Sequence, residues 1–387
     1  MHKINILGYI AIPMAFLVHF VLAKGKSWEP VATFSLAALG VIPLAHLMGQ
    51  ATEHLSEKTG PTWGGLLNAT FGNAAELIIA IIALTQGLTE IVKASLTGSI
   101  LGNLLLVAGA AMVVGGWRRE KQVFSHSSAE VASDLLALAT AAMLLPAIFH
   151  FTAERVHDVQ IHEHEKKVSI LTSIILLIVY ALGLLFTLRT HAHIFSAKPA
   201  ESPEDPKGLG EQWPVRRSIL VLLIASAGIA IVAELLVGSA EKMAAQLGWS
   251  HVFVGVILLA IIGNAAEHST ALLLAHRDDM DTAMTITYQS SLQIALFVTP
   301  LVVLLSSAFV SLGIGHSKFM DLIFSPMEVV AIVLTVGIVV VLGINGESNW
   351  FEGAMLLGLY AILAIAFFYI PAEAHDAVQS TMPARAP

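Results

Sequence analysis

The stretch FGNAAE at residues 71–76 recurs as IGNAAE at residues 262–267. The two copies lie 191 residues apart. Downstream of them, Asn103 corresponds to Gln293 at a nearly equal shift of 190 residues. Matching segments at almost one offset predict that the chain consists of two halves with similar structures.

Long apolar blocks surround both copies of the motif. Of the 387 residues, 56% are hydrophobic and 12% are charged, whereas roughly a quarter of the residues in a soluble domain are charged. A helix needs about 20 apolar residues to cross a hydrocarbon core of about 30 Å. The composition excludes a water-soluble fold and predicts eleven transmembrane helices, near residues 4–23, 31–57, 61–86, 91–116, 127–149, 167–189, 217–246, 250–276, 282–310, 325–345 and 350–371.

The predicted helices divide into one leading helix and two sets of five. Lys3 precedes the first apolar block and no small-residue cleavage pattern follows it, so we expect a retained helix in residues 1–25 rather than a signal peptide. Residues 26–189 and 217–387 then form the two repeats, the second with a short C-terminal tail, and a solvated linker at residues 190–216 joins them. Because five is odd, the second repeat enters the membrane from the opposite side. The predicted fold class is an all-α integral membrane protein with two inverted five-helix repeats.

The basic residues predict an orientation in the membrane. They concentrate in the loop at residues 118–121 and in the linker, which fall on the same side of the predicted bundle. Since lysine and arginine favour the cytoplasmic side, we expect a cytoplasmic linker and N-terminus. Arg155, Lys166 and Lys167 run against this bias because they would then face outward. No organelle-targeting segment is apparent, so we expect a bacterial or archaeal cell membrane.

The net charge and the absence of cysteine exclude several classes of partner. A formal charge of −8 offers no basic face to neutralise the phosphates of a nucleic acid. Because the sequence has no cysteine, it contains neither disulfides nor thiolate metal sites, and a metal ion must be held by oxygen or imidazole. We expect the lipid bilayer and transported ions as partners, with no cofactor and with the oligomeric state left open.

The repeated motif has the chemistry of a site for a hard cation. Asn73 and Glu76, like Asn264 and Glu267, are three residues apart and project from one helical face. An ionised glutamate at the middle of a bilayer costs at least about 2.5 kcal/mol on insertion scales, so sequences seldom place one there without a function. Ca²⁺ takes about six to eight oxygen ligands, and two carboxylates balance its charge. The alternative is that these side chains only hold helices together.

Further oxygen-bearing side chains lie on the same predicted helices. Ser99 and Asn103 are four residues apart, and Ser290 and Gln293 are three apart, so each pair shares one helical face. We expect these two faces to form the wall of the site. Packing between helices through small polar residues is the alternative. The additional candidate ligands are Thr70, Ser99, Asn103, Ser290 and Gln293.

Proton coupling is predicted from the same pair of acids. Without a cation, Glu76 and Glu267 would repel each other in a medium of low dielectric constant, which favours their protonated forms. The cation and protons then compete for one site, and two protons per Ca²⁺ is the simplest ratio. Asn103 and Gln293 are neutral, whereas a sodium-coupled exchanger is expected to place further carboxylates there. His268 either relays a proton or bonds a neighbour.

Four more acids lie on helices that the repeat relates to each other. Glu53 and Glu57 lie near one end of the second predicted helix, and Glu234 and Glu241 lie in the seventh. In one interpretation, these four acids line the two entry paths for the ions. In the other, Glu53, Glu57 and Glu241 are merely solvated residues at helix ends. Glu234 lies deeper in its helix and is the strongest candidate for a path.

The doubled motif resembles that of the calcium/proton exchanger (CAX) family within the cation/calcium exchanger superfamily. The residues that carry the resemblance are GNAAE at 72–76, GNAAEH at 263–268, IPLA at 42–45, ATE at 51–53 and GSILGNLL at 98–105. The resemblance covers the second to the eleventh helix. It implies a secondary transporter with one helix plus two inverted repeats, in which Glu76 and Glu267 are the central acids. Gln50, where related chains often have glutamate, and a thin acidic linker depart from the family pattern.

Other functions are compatible with these residues. Within the same fold, the alternatives are a Na⁺-coupled Ca²⁺ exchanger and an exchanger for another divalent cation such as Mn²⁺. A channel is a third class of function, although inverted repeats with paired titratable acids favour a carrier. A membrane metalloprotease is disfavoured because no His-Glu-x-x-His spacing occurs. The loop at residues 150–167 contains alternating histidine and glutamate that would suit Zn²⁺ or Ni²⁺, although such a pattern in a polar loop is more often incidental.

Overall fold

The computed structural model describes residues 2–155, 160–192, 213–343 and 345–371. The described chain is almost entirely helical, with short π-helical stretches such as Gly102–Val107 and Ile294–Val298 inside longer helices. The helices are α1 (His2–Leu17), α2 (Glu29–Thr59), α3 (Pro61–Phe71), α4 (Ala74–Thr85), α5 (Thr89–Gly116), α6 (His126–Arg155), α7 (Ile161–Thr190), α8 (Val215–Leu247), α9 (His251–Gly263), α10 (Ala265–His276), α11 (Met280–Leu312), α12 (Pro326–Gly343) and α13 (Trp350–Phe368).

The helices have the lengths and composition of membrane spans. In the described ranges, eight helices are long and apolar enough to cross a bilayer. The bent pairs α3/α4 and α9/α10 raise this number to ten if each pair is one span, and Ile6–Leu22 is a shorter apolar helix. The predicted all-helical membrane fold is therefore confirmed, and the count of eleven crossings stays a prediction.

Two of the predicted helices are interrupted at the repeated motif. Instead of single helices at 61–86 and 250–276, the chain bends by 41° between α3 and α4 and by 61° between α9 and α10. Asn73 and Asn264 occupy the breaks with non-helical backbone angles. Glycine and asparagine are both poor helix formers, so the Gly-Asn pairs are the weakest points of these helices.

Contacts between loops define two ends of the bundle. Strand β1 (Gln122–Val123) pairs antiparallel with β2 (Glu347–Ser348), which joins the α5–α6 loop to the α12–α13 loop. We call this end the ribbon face. At the other end, which we call the opposite face, the backbone N–H of His316 donates to the carbonyl of Thr85 over 2.8 Å and joins the loops after α4 and α11.

Close packing of small residues holds the two halves together. α2 and α8 make an extensive contact in which Ala37, Ala45, Ala225 and Ala233 are buried. In a membrane, helices associate mainly through van der Waals contact, and small side chains let their backbones approach closely. The pair α2/α8, one helix from each repeat, therefore forms an interface between the halves.

Another inter-repeat contact, between α5 and α9, depends on two glycines. A β-carbon added at Gly98 would lie 2.1 Å from the carbonyl oxygen of Val256, and one added at Gly255 would lie 2.4 Å from the β-carbon of Ala94. No side chain fits between the two backbones at this crossing. The first half of α5 and the start of α9 are thus closed against each other near the opposite face.

We predict that Gly98→Ala lowers the stability of the protein. The new methyl group collides with backbone, which a side-chain rotation cannot relieve, and overpacking of this kind costs about 1–3 kcal/mol. A lower melting temperature of the detergent-purified protein would be the measured effect. Gly358→Ala in α13 is the matched control, since its β-carbon meets nothing within 4 Å. Equal melting temperatures for the two variants would contradict the prediction.

Candidate functional site

The two helix breaks bring the repeated acids to the same region. Glu76 lies in the first turn of α4 and is only 8% exposed. A β-carbon at Gly263, in the motif of the other half, would lie 3.5 Å from Cγ of Glu76 and 3.6 Å from its Oε1. Glu267 lies in the first turn of α10, one helical turn after Gly263. The predicted convergence of the two acids is thus present in the structure.

The polar side chains around the acids bond across the two repeats. Nδ2 of Asn73 donates to Oε1 of Gln293, so the first break contacts a helix of the second half. Nδ2 of Asn264 donates to Oγ of Ser99 over 2.9 Å, so the second break contacts a helix of the first half. Nδ2 of Asn103 lies 3.4 Å from Oδ1 of Asn264. These bonds join the segments that carry the two copies of the motif into one polar cluster.

Two polar atoms of the repeated motif and the residue that follows it are buried without hydrogen-bond partners among the described residues. They are Oδ1 of Asn73 and Nε2 of His268. A buried polar atom without a partner in a folded protein points to an unseen water or ion. Because an amide oxygen is a good ligand for a hard cation, Oδ1 of Asn73 has the chemistry to bind one.

The remaining candidates for the site wall differ in what they contact. The hydroxyl of Ser290 donates to Oε2 of Glu267, so Ser290 lies directly against one of the central acids. The hydroxyl of Thr70 instead donates to the carbonyl of Leu66 over 2.8 Å, one turn earlier in its own helix. Thr70 can therefore offer a cation only the lone pairs of its oxygen.

The four proposed path acids lie on α2 and α8, which pack against each other. Glu53, Glu234 and Glu241 are exposed and Glu57 is half-buried. Glu234 lies well inside α8, between Val215 and Leu247, and its backbone carbonyl accepts a hydrogen bond from Gln86 at 3.5 Å. Their role in ion entry stays a prediction.

The residues next to the two helix breaks are more exposed and more polar toward the ribbon face than toward the opposite face. Ser269 and Thr270, in the turn after Glu267, are exposed and polar. The positions related to them by the repeat are Ile78, which is half-buried, and Ile79, which is buried. Similarly, Asn68 before the first break is exposed, whereas its repeat equivalent Leu259 is buried. Polar, exposed groups therefore line the approach from the end where α3 begins and α10 ends.

The predicted histidine-rich loop is helical at both ends, with His150 in α6 and His162 in the first turn of α7. Glu165 is buried, with Oε1 2.5 Å from Nδ1 of His150 and Oε2 3.3 Å from Nδ1 of His162. Among the described residues, no group of three or more histidine or acidic side chains has the arrangement of a metal site. His157, from the same predicted cluster, lies outside the described residues.

Comparisons with known proteins identify relatives along most of the chain. A family model described as sodium/calcium exchanger protein matches residues 29–189 and 217–369. A Ca²⁺/H⁺ antiporter of Synechocystis is 42% identical over 381 residues, covering 95% of this chain and 98% of that protein. A vacuolar calcium ion transporter of Schizosaccharomyces pombe is 40% identical and covers 94% of this chain and 85% of that protein. The solved structure of native YfkE matches with a TM-score of 0.76 and 37% identity, covering 95% of this chain and 99% of that chain.

A buried ion cluster near the closed crossing was missed by the sequence analysis. Nζ of Lys93, a buried residue of α5, lies 2.7 Å from Oδ1 of Asp321 and 3.0 Å from the carbonyl of Ile323. One turn further along α5, the hydroxyl of Thr97 donates over 3.1 Å to the buried carboxylate of Glu328. The cluster ties the first half of α5 to the first turn of α12 and to the segment before it. A lysine inside an apolar helix is the sequence signal that could have revealed it.

We predict that Lys93→Met destabilises the protein by about 1.5–3 kcal/mol, because it removes the charged hydrogen bonds that the buried ammonium group donates to the partly exposed Asp321 and to the carbonyl of Ile323. The matched control is Lys121→Met, which removes an ion pair with Glu347 whose side chains are 61% and 42% exposed. An exposed pair contributes at most about 1 kcal/mol. The measurement is thermal unfolding in detergent, and an equal effect of the two substitutions would contradict the prediction.

Proposed function

Because the chain belongs to the calcium/proton exchanger (CAX) family, a branch of the sodium/calcium exchanger proteins, we propose that it carries Ca²⁺ across a membrane in exchange for protons. The observation that carries the proposal is the convergence of Glu76 and Glu267 from two helix breaks. The protein is a transporter and not an enzyme, since its relatives are antiporters and exchangers. This sets the metalloprotease alternative aside.

The proposed Ca²⁺ site consists of oxygen atoms from both repeats. Glu76 and Glu267 supply the charge that balances the ion, and Oδ1 of Asn73 is a buried acceptor to which no described residue donates. Neutral oxygens around them bring the total toward the roughly six to eight ligands that Ca²⁺ takes. These neutral candidates are the side chains of Thr70, Asn264, Ser99, Asn103, Ser290 and Gln293.

Protons and Ca²⁺ compete for the two carboxylates in the proposed cycle. When Ca²⁺ leaves, the two neighbouring acids repel each other in a site of low dielectric constant, and protonation removes that repulsion. The carrier then reorients with its acids neutralised either by the ion or by protons. His268 follows Glu267 in the chain, and its Nε2 is buried without a partner among the described residues, so it is our candidate to relay protons to or from the site.

The contacts between loops support eleven crossings. The ribbon joins the loops after α5 and α12, and the chain must cross the membrane an even number of times between them. Six spans lie there if the bent pair α9/α10 is one complete crossing. Arg119 Nε, 3.1 Å from Asp278 Oδ1, places the loop after α10 at the same end. We infer a leading helix in residues 1–25, repeats at 26–189 and 217–387, and a cytoplasmic linker at 190–216.

With the linker cytoplasmic, the ribbon face and the N-terminus are also cytoplasmic. The more accessible approach to the acids then opens to the cytoplasm, from which a bacterial or archaeal exchanger driven by an inward proton gradient removes Ca²⁺. The neutral pair Asn103 and Gln293 favours protons over Na⁺ as the coupling ion, because further carboxylates would be expected at these positions to hold Na⁺.

The test is ⁴⁵Ca²⁺ uptake into proteoliposomes with an acidic interior. We predict that the wild type takes up Ca²⁺, and that Glu76→Gln and Glu267→Gln each lower the initial rate at least about tenfold, because either one leaves the charge of the ion half balanced. Glu130→Gln serves as the control, since Glu130 is exposed at the start of α6.

Each other outcome assigns the protein differently. Uptake driven only by a Na⁺ gradient would place it among sodium-coupled exchangers. Uptake with no counter-transport would indicate a channel. If the folded wild type takes up no Ca²⁺ under either gradient, the calcium assignment is wrong, and Mn²⁺ is the next ion to measure.

A further inference from the structure

A second pair of repeated residues lies outside the proposed ion site. Tyr180-Ala181 in α7 recurs as Tyr360-Ala361 in α13, the last helix of the other repeat, at a shift of 180 residues. The neighbouring letters are similar, VYALGLLF at 179–186 against LYAILAIA at 359–366. The two tyrosines therefore occupy equivalent positions in the two halves.

The helices that carry these tyrosines also pack in equivalent ways. The end of α7 contacts the start of α3, where a β-carbon at Gly65 would lie 2.4 Å from Cδ2 of Leu188. The end of α13 contacts the start of α9, where the rings of Phe253 and Phe368 lie 5.2 Å apart. Each tyrosine thus lies on the helix that supports the broken helix of its own repeat.

The first helix break is held by its tyrosine. The hydroxyl of Tyr180 donates to the carbonyl of Ala69 over 3.0 Å. Ala69 lies in the last turn of α3, four residues before Asn73. A break inside a membrane leaves carbonyls that need new donors. With Tyr180 on this carbonyl, the amide of Asn73 points across the site to Gln293.

The second break is bonded differently although its residues are equivalent. Ala260 corresponds to Ala69 at the repeat shift of 191. Its carbonyl accepts from the backbone N–H of Asn264 over 3.1 Å and from Nδ2 of the same residue over 2.8 Å. The hydroxyl of Tyr360 is buried and has no hydrogen-bond partner among the described residues.

The structure has its more exposed approach at the ribbon face, and in this same state only the first break, among the described residues, is bonded to its tyrosine. Inverted repeats reach the opposite-facing state when each half adopts the arrangement that the other half had before. In the opposite-facing state, the hydroxyl of Tyr360 would then donate to the carbonyl of Ala260, and the amide of Asn264 would turn toward Asn103. The carbonyl of Ala69 would lose Tyr180 and accept from Asn73 instead. A buried hydroxyl without a partner in one state then has one in the other.

We propose that Tyr180 and Tyr360 are paired positioning residues that hold the two helix breaks in turn, one in each orientation of the carrier. Tyr180 stabilises the state seen in the structure, and Tyr360 stabilises the state open to the opposite face. The proposal deepens the proposed function and rests on its alternation between two orientations. It concerns the orientation of the site and not the identity of the ion.

The test uses the absence of cysteine from the sequence, which makes every introduced cysteine a single reporter. Thr270→Cys reports the accessible approach, where Thr270 is exposed. Ser95→Cys reports the closed crossing, where the backbone nitrogen of Ser95 lies 3.0 Å from a β-carbon added at Gly255. The rate of reaction with a hydrophilic maleimide is measured in Ca²⁺-free detergent solution for each reporter.

We expect the two tyrosine substitutions to act in opposite directions. Tyr180→Phe should slow labelling at Thr270→Cys and speed it at Ser95→Cys, by about 3-fold to 10-fold, the range expected for one hydrogen bond. Tyr360→Phe should do the reverse, because it removes the partner needed only in the other state. With both tyrosines replaced, the labelling rates at the two reporters should return toward those of the reporter proteins that keep both tyrosines.

Two controls separate positioning from a structural role. Tyr369→Phe changes an exposed tyrosine after the end of α13 and should leave both rates unchanged. Melting temperatures identify variants that are merely less stable. Parallel changes at both reporters, or no change in folded variants, would overturn the proposal. Since labelling needs no transported ion, a failure to carry Ca²⁺ would overturn the proposed function and leave this result intact.

Discussion

The structure depends on two helices that are interrupted inside the membrane. In hydrocarbon, each backbone N–H and C=O needs a partner within the protein, so a break is stable only where other groups replace the lost helical bonds. Here the replacements come from the opposite repeat and from supporting helices: Gln293 and Tyr180 at the first break, and Ser99 at the second. The same interruption exposes two acids to each other. Structural support and ion chemistry therefore share one set of residues.

Symmetry in the sequence coexists with asymmetry in the structure. Asn73 and Asn264 are equivalent, yet one amide bonds a side chain across the site and the other also bonds its own helix. The surroundings differ in the same way, since exposed Ser269 and Thr270 correspond to the more buried Ile78 and Ile79. A site formed by two repeats in different arrangements has two distinct approaches, which is the geometric requirement for alternating access.

The doubled motif was enough to predict the membrane fold and the convergence of the central acids. It succeeded because an acid in an apolar helix and an exact spacing are both strong signals. Three other features could not be predicted from the motif, because each depends on contacts between residues that are distant in the sequence. The bends at Asn73 and Asn264 depend on partners from other helices. The fit of Gly98 against Val256 depends on a crossing between repeats. The Tyr180–Ala69 bond joins residues of no evident chemistry, although the repeated Tyr-Ala pair could have drawn attention to it.

The small strand pair at the ribbon face has a mechanical consequence. It joins a loop of the first repeat to a loop of the second, and the N–H of Phe124 adds a hydrogen bond to the carbonyl of Gly346 over 2.9 Å. A hinge motion that separated the two repeats at the ribbon face would have to break these hydrogen bonds in every transport cycle. The ribbon thereby ties together the ribbon-face ends of α5, α6, α12 and α13, so a motion that keeps these four ends together costs none of these hydrogen bonds.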